Sequence, residues 1–247
     1  KESFKSQHFE VTYYPFRNEK GLIEHVVVAS HDMTKRMQAE NSMKQSLSEL
    51  QGALEKTVDC LISAFEMRDP YTTGHQRRVA QLTRAIAQEM DFTADEIQCI
   101  HLASLVHDIG KIHIPIEILS KPTKLTDTEF GIIKMHSQVG YEILKKADFP
   151  WPIDKIIFQH HERLNGQGYP QGLKKDEIIL EAQILAVADV VEAMSSHRPY
   201  RPALGIEIAI EEILANKGIL YNAEVVDICV DLFRNKNFEF GKSSKQN

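Results

Sequence analysis

Hydrophobic positions open the chain at a strand spacing and switch near residue 34 to a helical spacing that holds almost to the end. Residues 9–16, FEVTYYPF, and 22–30, LIEHVVVAS, are rich in β-branched and aromatic side chains. They flank a polar turn closed by Gly21, which predicts a β-hairpin. Two strands alone are marginal in water, so the pair needs more sheet or a partner. From Thr34 to Met67 no proline intervenes. Met43, Leu47, Leu50, Leu54, Thr57 and Leu61 recur at alternating steps of four and three, a heptad seam. Such a helix could lie on its own domain. The favoured expectation is a parallel coiled coil that makes the protein a homodimer.

Beyond residue 68 the pattern is wholly helical. His75 precedes Val79 and Leu82 by four and seven residues and so shares their buried face. Thr93-Ala94-Asp95-Glu96 is a capping box, and the helix it opens carries Ile97, Ile100 and Ala103 in phase with His107. Asp108 follows, and Ile109-Gly110 should end the helix. Thr126 and Glu129 form a second capping box, before a stripe of Ile132, Ile133, His136, Val139 and Ile143. Trp151-Pro152 opens a helix leading to His160 and His161, and the glycines and proline of residues 164–172 predict a tight loop. Asp189 sits in ILAVADVVEAM, a nearly continuous apolar run. Two more amphipathic patterns follow Ile206, and the polar residues from Lys242 on are expected to be disordered.

With 247 residues, 43% hydrophobic and 26% charged, the chain can hold one large soluble domain plus a smaller piece. A formal net charge of −6 argues against a polymeric nucleic-acid partner, though not against a local basic pocket for a small phosphate ligand. Cys60, Cys99 and Cys229 lack paired or metal-type spacing, which fits a reducing, cytoplasmic setting. No apolar run reaches membrane-span length and no signal peptide is evident. Residue 1 is not Met, so a piece of a longer protein is expected, and an upstream membrane anchor remains compatible with it.

Taken singly, each histidine fits the ordinary role of a satisfied core residue. His8, His25, His31, His101, His113 and His197 are given no role. The joint pattern is different: His75, His107, Asp108, His136, His160, His161 and Asp189 come from five segments and are read as lying at the inner ends of helices. A buried carboxylate beside imidazoles calls for a cation. Imidazole with a few carboxylates suits iron, manganese or zinc better than magnesium or calcium. Seven ligands exceed one tetrahedral ion, so two metals are expected, with Asp108 as their bridge. Such pairs, about 3.5–4 Å apart, lower the pKa of a shared water and polarise a phosphoryl oxygen in phosphate-ester hydrolysis. Lys111, four residues past His107, can reach the phosphate or the leaving oxygen.

HDIGK at 107–111, HHERLNGQGYP at 160–170, MHSQVG around His136 and ADVVEAM around Asp189 together resemble the HD-GYP phosphodiesterases of the HD superfamily, over roughly residues 55–235. The resemblance implies an all-helical fold with a di- or trinuclear centre, usually iron or manganese. It implies hydrolysis of cyclic di-GMP to the linear dinucleotide, sometimes on to GMP, by metal-bridging hydroxide. It makes the seven residues metal ligands, Asp108 and Lys111 catalytic, and Lys111, Arg198 and Arg201 phosphate contacts. Gly168, Tyr169 and Pro170 would shape a loop beside the site, linked in the family to docking of diguanylate cyclase domains. The opening hairpin with SHDMT at 30–34 resembles the end of a PAS sensor domain. The expected layout is a PAS-like end at 1–33, a signalling helix at 34–67, the HD-GYP domain at 55–241 and a tail at 242–247.

Two departures matter. Trinuclear relatives carry a glutamate four residues before the first histidine; here it is Tyr71, so a dinuclear centre is expected. Tyr221-Asn222-Ala223 replaces a more usual Phe-Asp-Pro and is read as a tolerated change at a helix start. Nothing reads the base, so 3'3'-cyclic GMP-AMP is an alternative substrate. A non-catalytic scaffold using the Gly-Tyr-Pro loop is the alternative of a different class.

Overall fold

The structure is a computed structural model that describes residues 7–68, 74–196 and 203–241. Contacts divide the chain into Lys1–Asp59 and Cys60–Asn247, and each unit is taken by itself. In the first, β1 (Phe9–Arg17) pairs antiparallel with β2 (Ile23–Asp32), Phe9 opposite Asp32, and runs into α1 (Thr34–Arg68). Asp32 Oδ1 accepts the Thr34 N–H at 2.9 Å, and Thr34 Oγ1 accepts the His8 N–H at 2.9 Å. The strand end and helix start are thereby tied together, and the Thr34 hydrogen bonds hold the Asp32 carboxyl below its ordinary pKa. Both faces of the hairpin are exposed, as are Met43, Leu47 and Leu50 of the heptad seam.

The second unit is helical: α2 (His75–Glu89), α3 (Ala94–Val106), the single turn α4 (Ile116–Leu119), α5 (Asp127–Leu144), α6 (Ile153–Gln159), α7 (Leu180–Ser195), α8 (Ile206–Ala215) and α9 (Ala223–Arg234). The expected capping boxes both form: Thr93 accepts from Glu96 N, Thr126 from Glu129 N, and each glutamate reaches back to the cap N–H. Asn222 caps α9 by accepting from Glu224 and Val225 N–H, which explains why that helix starts without the usual acid. α7 is apolar nearly all round because it is buried all round, packing against α2, α3, α6, α8 and α9. Ile184, Leu185, Val187 and Val191 meet Val79, Leu82 and Ile86 of α2 and the buried isoleucines of α6 and α8 in one core. The fold is therefore the expected one, mainly helical with a hairpin before it.

HDIGK differs in detail from expectation. α3 stops at Val106, and Ile109–His113 is a separate 3-10 turn. That turn lies directly on α5: a Cβ on Gly110 would stand 1.9 Å from the His136 carbonyl oxygen and 2.6 Å from the Gly140 nitrogen. Absence of a side chain at residue 110 is what lets the two metal-type histidines, His107 and His136, approach across that contact.

Candidate metal centre

His75 is the first residue of α2, preceded by Gly74 at φ 72. His107 caps the C-terminus of α3, Asp108 enters the 3-10 turn, and His160 and His161 end α6. His136 and Asp189, expected at helix ends, lie instead in the middle of α5 and α7. Those helices pass the site side-on, so a core-facing position partway along the stripe reaches it.

Four of the five rings are aimed from behind. His107 Nδ1–H donates to Ser104 O at 2.7 Å, His136 to Ile133 O at 2.7 Å and His160 to Ile157 O at 2.6 Å, each carbonyl three residues earlier. His75 Nδ1 instead meets the Glu192 carboxylate. In these four Nδ1 is thereby the protonated nitrogen, and their Nε2 lone pairs point inward. His136 and His160 bring their Nε2 atoms within 3.4 Å of each other, two lone pairs with no proton between them. A cation resolves that clash, and so the donor set fits a metal.

The donors form overlapping groups whose ligand atoms lie within 4.8 Å of one another: His75, His107 and Asp189; His107, Asp108 and His160; His136, His160 and His161. Asp108 faces two ways. Oδ2 is 3.6 Å from His107 Nε2 and 3.9 Å from His75 Nε2, while Oδ1 is 3.7 Å from His136 Nε2. Asp189 Oδ1 is 3.3 Å from His75 Nε2 and 3.9 Å from His107 Nε2. The seven predicted residues are thus brought together as one imidazole–carboxylate cluster (His75, His107, Asp189) and one imidazole cluster (His136, His160, His161), with Asp108 between them.

Burial alone would raise the Asp108 carboxyl, but the Lys111 ammonium and the imidazoles of His107, His136 and His75 outweigh it and hold it well below the carboxylate range. Asp189 is likewise held low against burial by His75, His107 and His161. Burial pushes His160 down to about 3, with His107 and His136 adding to the effect, and holds His161 and His136 below the usual imidazole value. Neutral imidazoles and ionised carboxylates are the protonation states that ligands need. Lys111 Nζ rests on Asp108 Oδ2 at 2.7 Å.

The Gly-Tyr-Pro loop lies against one cluster. Tyr169 stacks on His161, with ring centroids 4.6 Å apart, and its N–H donates to His161 O at 3.2 Å. A Cβ on Gly168 would stand 2.4 Å from the Glu162 Cα, so the loop sits flush on the end of α6. Two carboxylates to which the sequence pattern assigned no role organise this region. Buried Glu162 accepts the N–H groups of Gln171, Gly172 and Leu173 at 2.7, 3.1 and 3.0 Å. Fully buried Glu192 accepts from His75, from Arg78 Nε at 2.6 Å and from Ser196 Oγ at 2.6 Å, and these partners bring it to about 2 against the burial that would raise it. A charged residue within the apolar run of α7, one turn after Asp189, was the available signal. Tyr71, Arg198 and Arg201, and the tail at 242–247, lie outside the described residues.

Fold and donor set define a helical domain with a histidine–carboxylate centre suited to divalent cations. The chain belongs to the HD domain family, whose model matches residues 59–225. It is 40% identical to a cyclic di-GMP phosphodiesterase of Thermotoga maritima and 35% identical to a cyclic di-GMP phosphodiesterase response regulator of Xanthomonas campestris. Each match covers 78% of this chain and 53% and 52% of those proteins. It is 36% identical to a 3'3'-cGAMP-specific phosphodiesterase of Vibrio cholerae over 62% of this chain and 34% of that one. The chain thus spans about half the length, or less, of these relatives. Among solved structures, an HDG"Y"P protein from Bdellovibrio bacteriovorus superposes with a TM-score of 0.58 at 20% identity, covering 77% of this chain and 64% of that one. Among the described residues no helix is long and apolar enough to cross a membrane.

Proposed function

We propose that this chain is a phosphodiesterase that opens a cyclic dinucleotide, cyclic di-GMP first, to its linear form, using two divalent cations, iron or manganese. The observation that carries this reading is Asp108, whose two oxygens face different imidazole clusters. His75, His107 and Asp189 would hold one cation, His136, His160 and His161 the other, and Asp108 both. When bound, such a pair lowers the pKa of water and polarises a phosphoryl oxygen. Lys111, 22% exposed at its side chain and already against Asp108, would pair with the reacting phosphate or the leaving oxygen. Stacked on His161, Tyr169 walls the site beside Gly168 and Pro170 and keeps that imidazole in place. Arg198 and Arg201 are expected to add phosphate contacts.

Relatives named for 3'3'-cGAMP support that molecule as the second candidate substrate. Metal analysis of oxygen-protected protein, run beside hydrolysis of both dinucleotides, tests the reading. Two metals per chain and turnover of at least one dinucleotide are expected, with both lost in His107→Ala/Asp108→Ala. Three metals would overturn the dinuclear centre. Inertness under iron, manganese and zinc alike would leave a scaffold that docks diguanylate cyclase domains.

The Asp32–Thr34 tie and the exposed heptad positions support a PAS-like end joined through a dimeric signalling helix, in a cytoplasmic protein. Leu50→Pro should then abolish regulation while leaving basal hydrolysis intact.

A further inference from the structure

Lys134 is set apart from the other described lysines by lying over two aromatic rings, where Lys145 lies over one. Lys111, Lys121, Lys217 and Lys236 each meet a carboxylate. Half-buried Lys134 has no carboxylate within ion-pair reach among the described residues. It stands between two aromatic rings, its Nζ 4.8 Å from the Phe130 centroid and 5.3 Å from that of Tyr169. Aromatic faces hold an ammonium in place without cancelling its charge. The positive charge therefore remains available to an anion. Its place matters as much as its state: His161 lies against one face of Tyr169, so a single ring separates the Lys134 ammonium from a ligand of the centre.

We propose that Lys134 binds the second, uncleaved phosphodiester of the cyclic dinucleotide, with Phe130 and Tyr169 aiming its ammonium; this rests on the cyclic dinucleotide reading above. Such a substrate carries two phosphates on opposite sides of one ring. The phosphate to be cleaved lies at Asp108, where Lys111 is already engaged at 2.7 Å. The other needs a cation set back from the centre by roughly the width of the substrate ring. Lys134, one aromatic ring removed, meets that requirement. A simple diester, with one phosphate, would make no use of it.

The test compares cyclic di-GMP (or 3'3'-cGAMP, whichever the wild type turns over faster) with bis(p-nitrophenyl) phosphate, on the manganese-loaded full chain. Lys134→Gln should raise KM for the dinucleotide about tenfold, the ordinary worth of one charge-assisted hydrogen bond, with kcat within about twofold. The same variant should leave kcat/KM for the small diester within about twofold, and Lys134→Arg should recover most of the dinucleotide KM. An unchanged KM in Lys134→Gln overturns the proposal. So does an equal loss on both substrates, which would place Lys134 at the reacting phosphate or in the fold. A wild type that cleaves the small diester but neither dinucleotide overturns the substrate reading itself, and this inference with it.

Discussion

Glu192 gives the sharpest prediction, because it acts on the centre without being among the proposed ligands. It is fully buried and is the acceptor that sets the His75 ring, which has no main-chain carbonyl behind it as the other anchored histidines do. Glu192→Gln keeps the shape and an acceptor oxygen but removes the charge. A hydrogen bond to an ion contributes about 1.5–3 kcal/mol and a neutral one about 0.5–1.5. The His75 anchor should therefore weaken by about 1–1.5 kcal/mol, close to a tenfold change in a binding constant. That agrees with the range of about 10–100-fold for loss of a group behind a metal-bound histidine. Arg78, 30% exposed, can turn toward water, so the fold itself should suffer less than in the loss of a fully buried pair. The assay is competition for manganese against a chelator of known affinity, with melting of the metal-free protein followed in parallel. The expected result is metal affinity reduced about tenfold at one of two sites with a modest drop in melting temperature. Affinity within twofold of wild type at both sites would refute the reasoning.

Three further outcomes follow from contacts already described. Gly110→Ala places a methyl inside the His136 carbonyl and should lower stability by about 3 kcal/mol or more, read in a urea melt; a midpoint within error of wild type would show that the α5 contact is looser than drawn. Glu162→Ala strands three loop N–H groups and should speed amide exchange at Gln171, Gly172 and Leu173 while the core of α7 stays protected; unaltered exchange there would remove Glu162 from the loop's support. In metal-free protein the folded His160 sits at about 3 against an ordinary value of 6.5, so below pH 6.5 the unfolded chain binds more protons and stability falls as pH drops toward 3. Asp108 and Asp189, both held low, add to the loss in the acid half of that window. A melting temperature that stays level from pH 7 to about 4.5 would contradict this.

Local chemistry accounts for what could be read in advance. Capping boxes at Thr93 and Thr126 and the hairpin turn are set by neighbours a few residues apart, and all appear in the fold. The α5 stripe is less legible, since His136, Ser137, Gly140 and Leu144 are buried there and Ile143 is exposed. The seven donor residues are legible because imidazoles and acids rarely gather on buried stripes unless a cation repays their desolvation. What escaped depends on distant pairings. His75 and Glu192 meet across 117 positions, and nothing in either segment alone says which carboxylate of α7 faces the cluster and which backs the His75 ring. The helix-end rule failed for His136 and Asp189 because the crossing of α5 and α7 over the site is a tertiary fact. In sequence nothing sets Lys134 apart from the other lysines; only the folded loop brings Tyr169 over it.

The carbonyls behind His107, His136 and His160 also bear on how this domain would look to genetics. Replacing Ser104, Ile133 or Ile157 changes a side chain and leaves the oxygen that steers the neighbouring ring. A systematic side-chain screen would therefore register Ser104 and Ile157 through their burial and see the steering itself at Glu192 alone. Whatever was recorded at those three addresses would reflect packing, since the steering instruction they carry is written in the main chain.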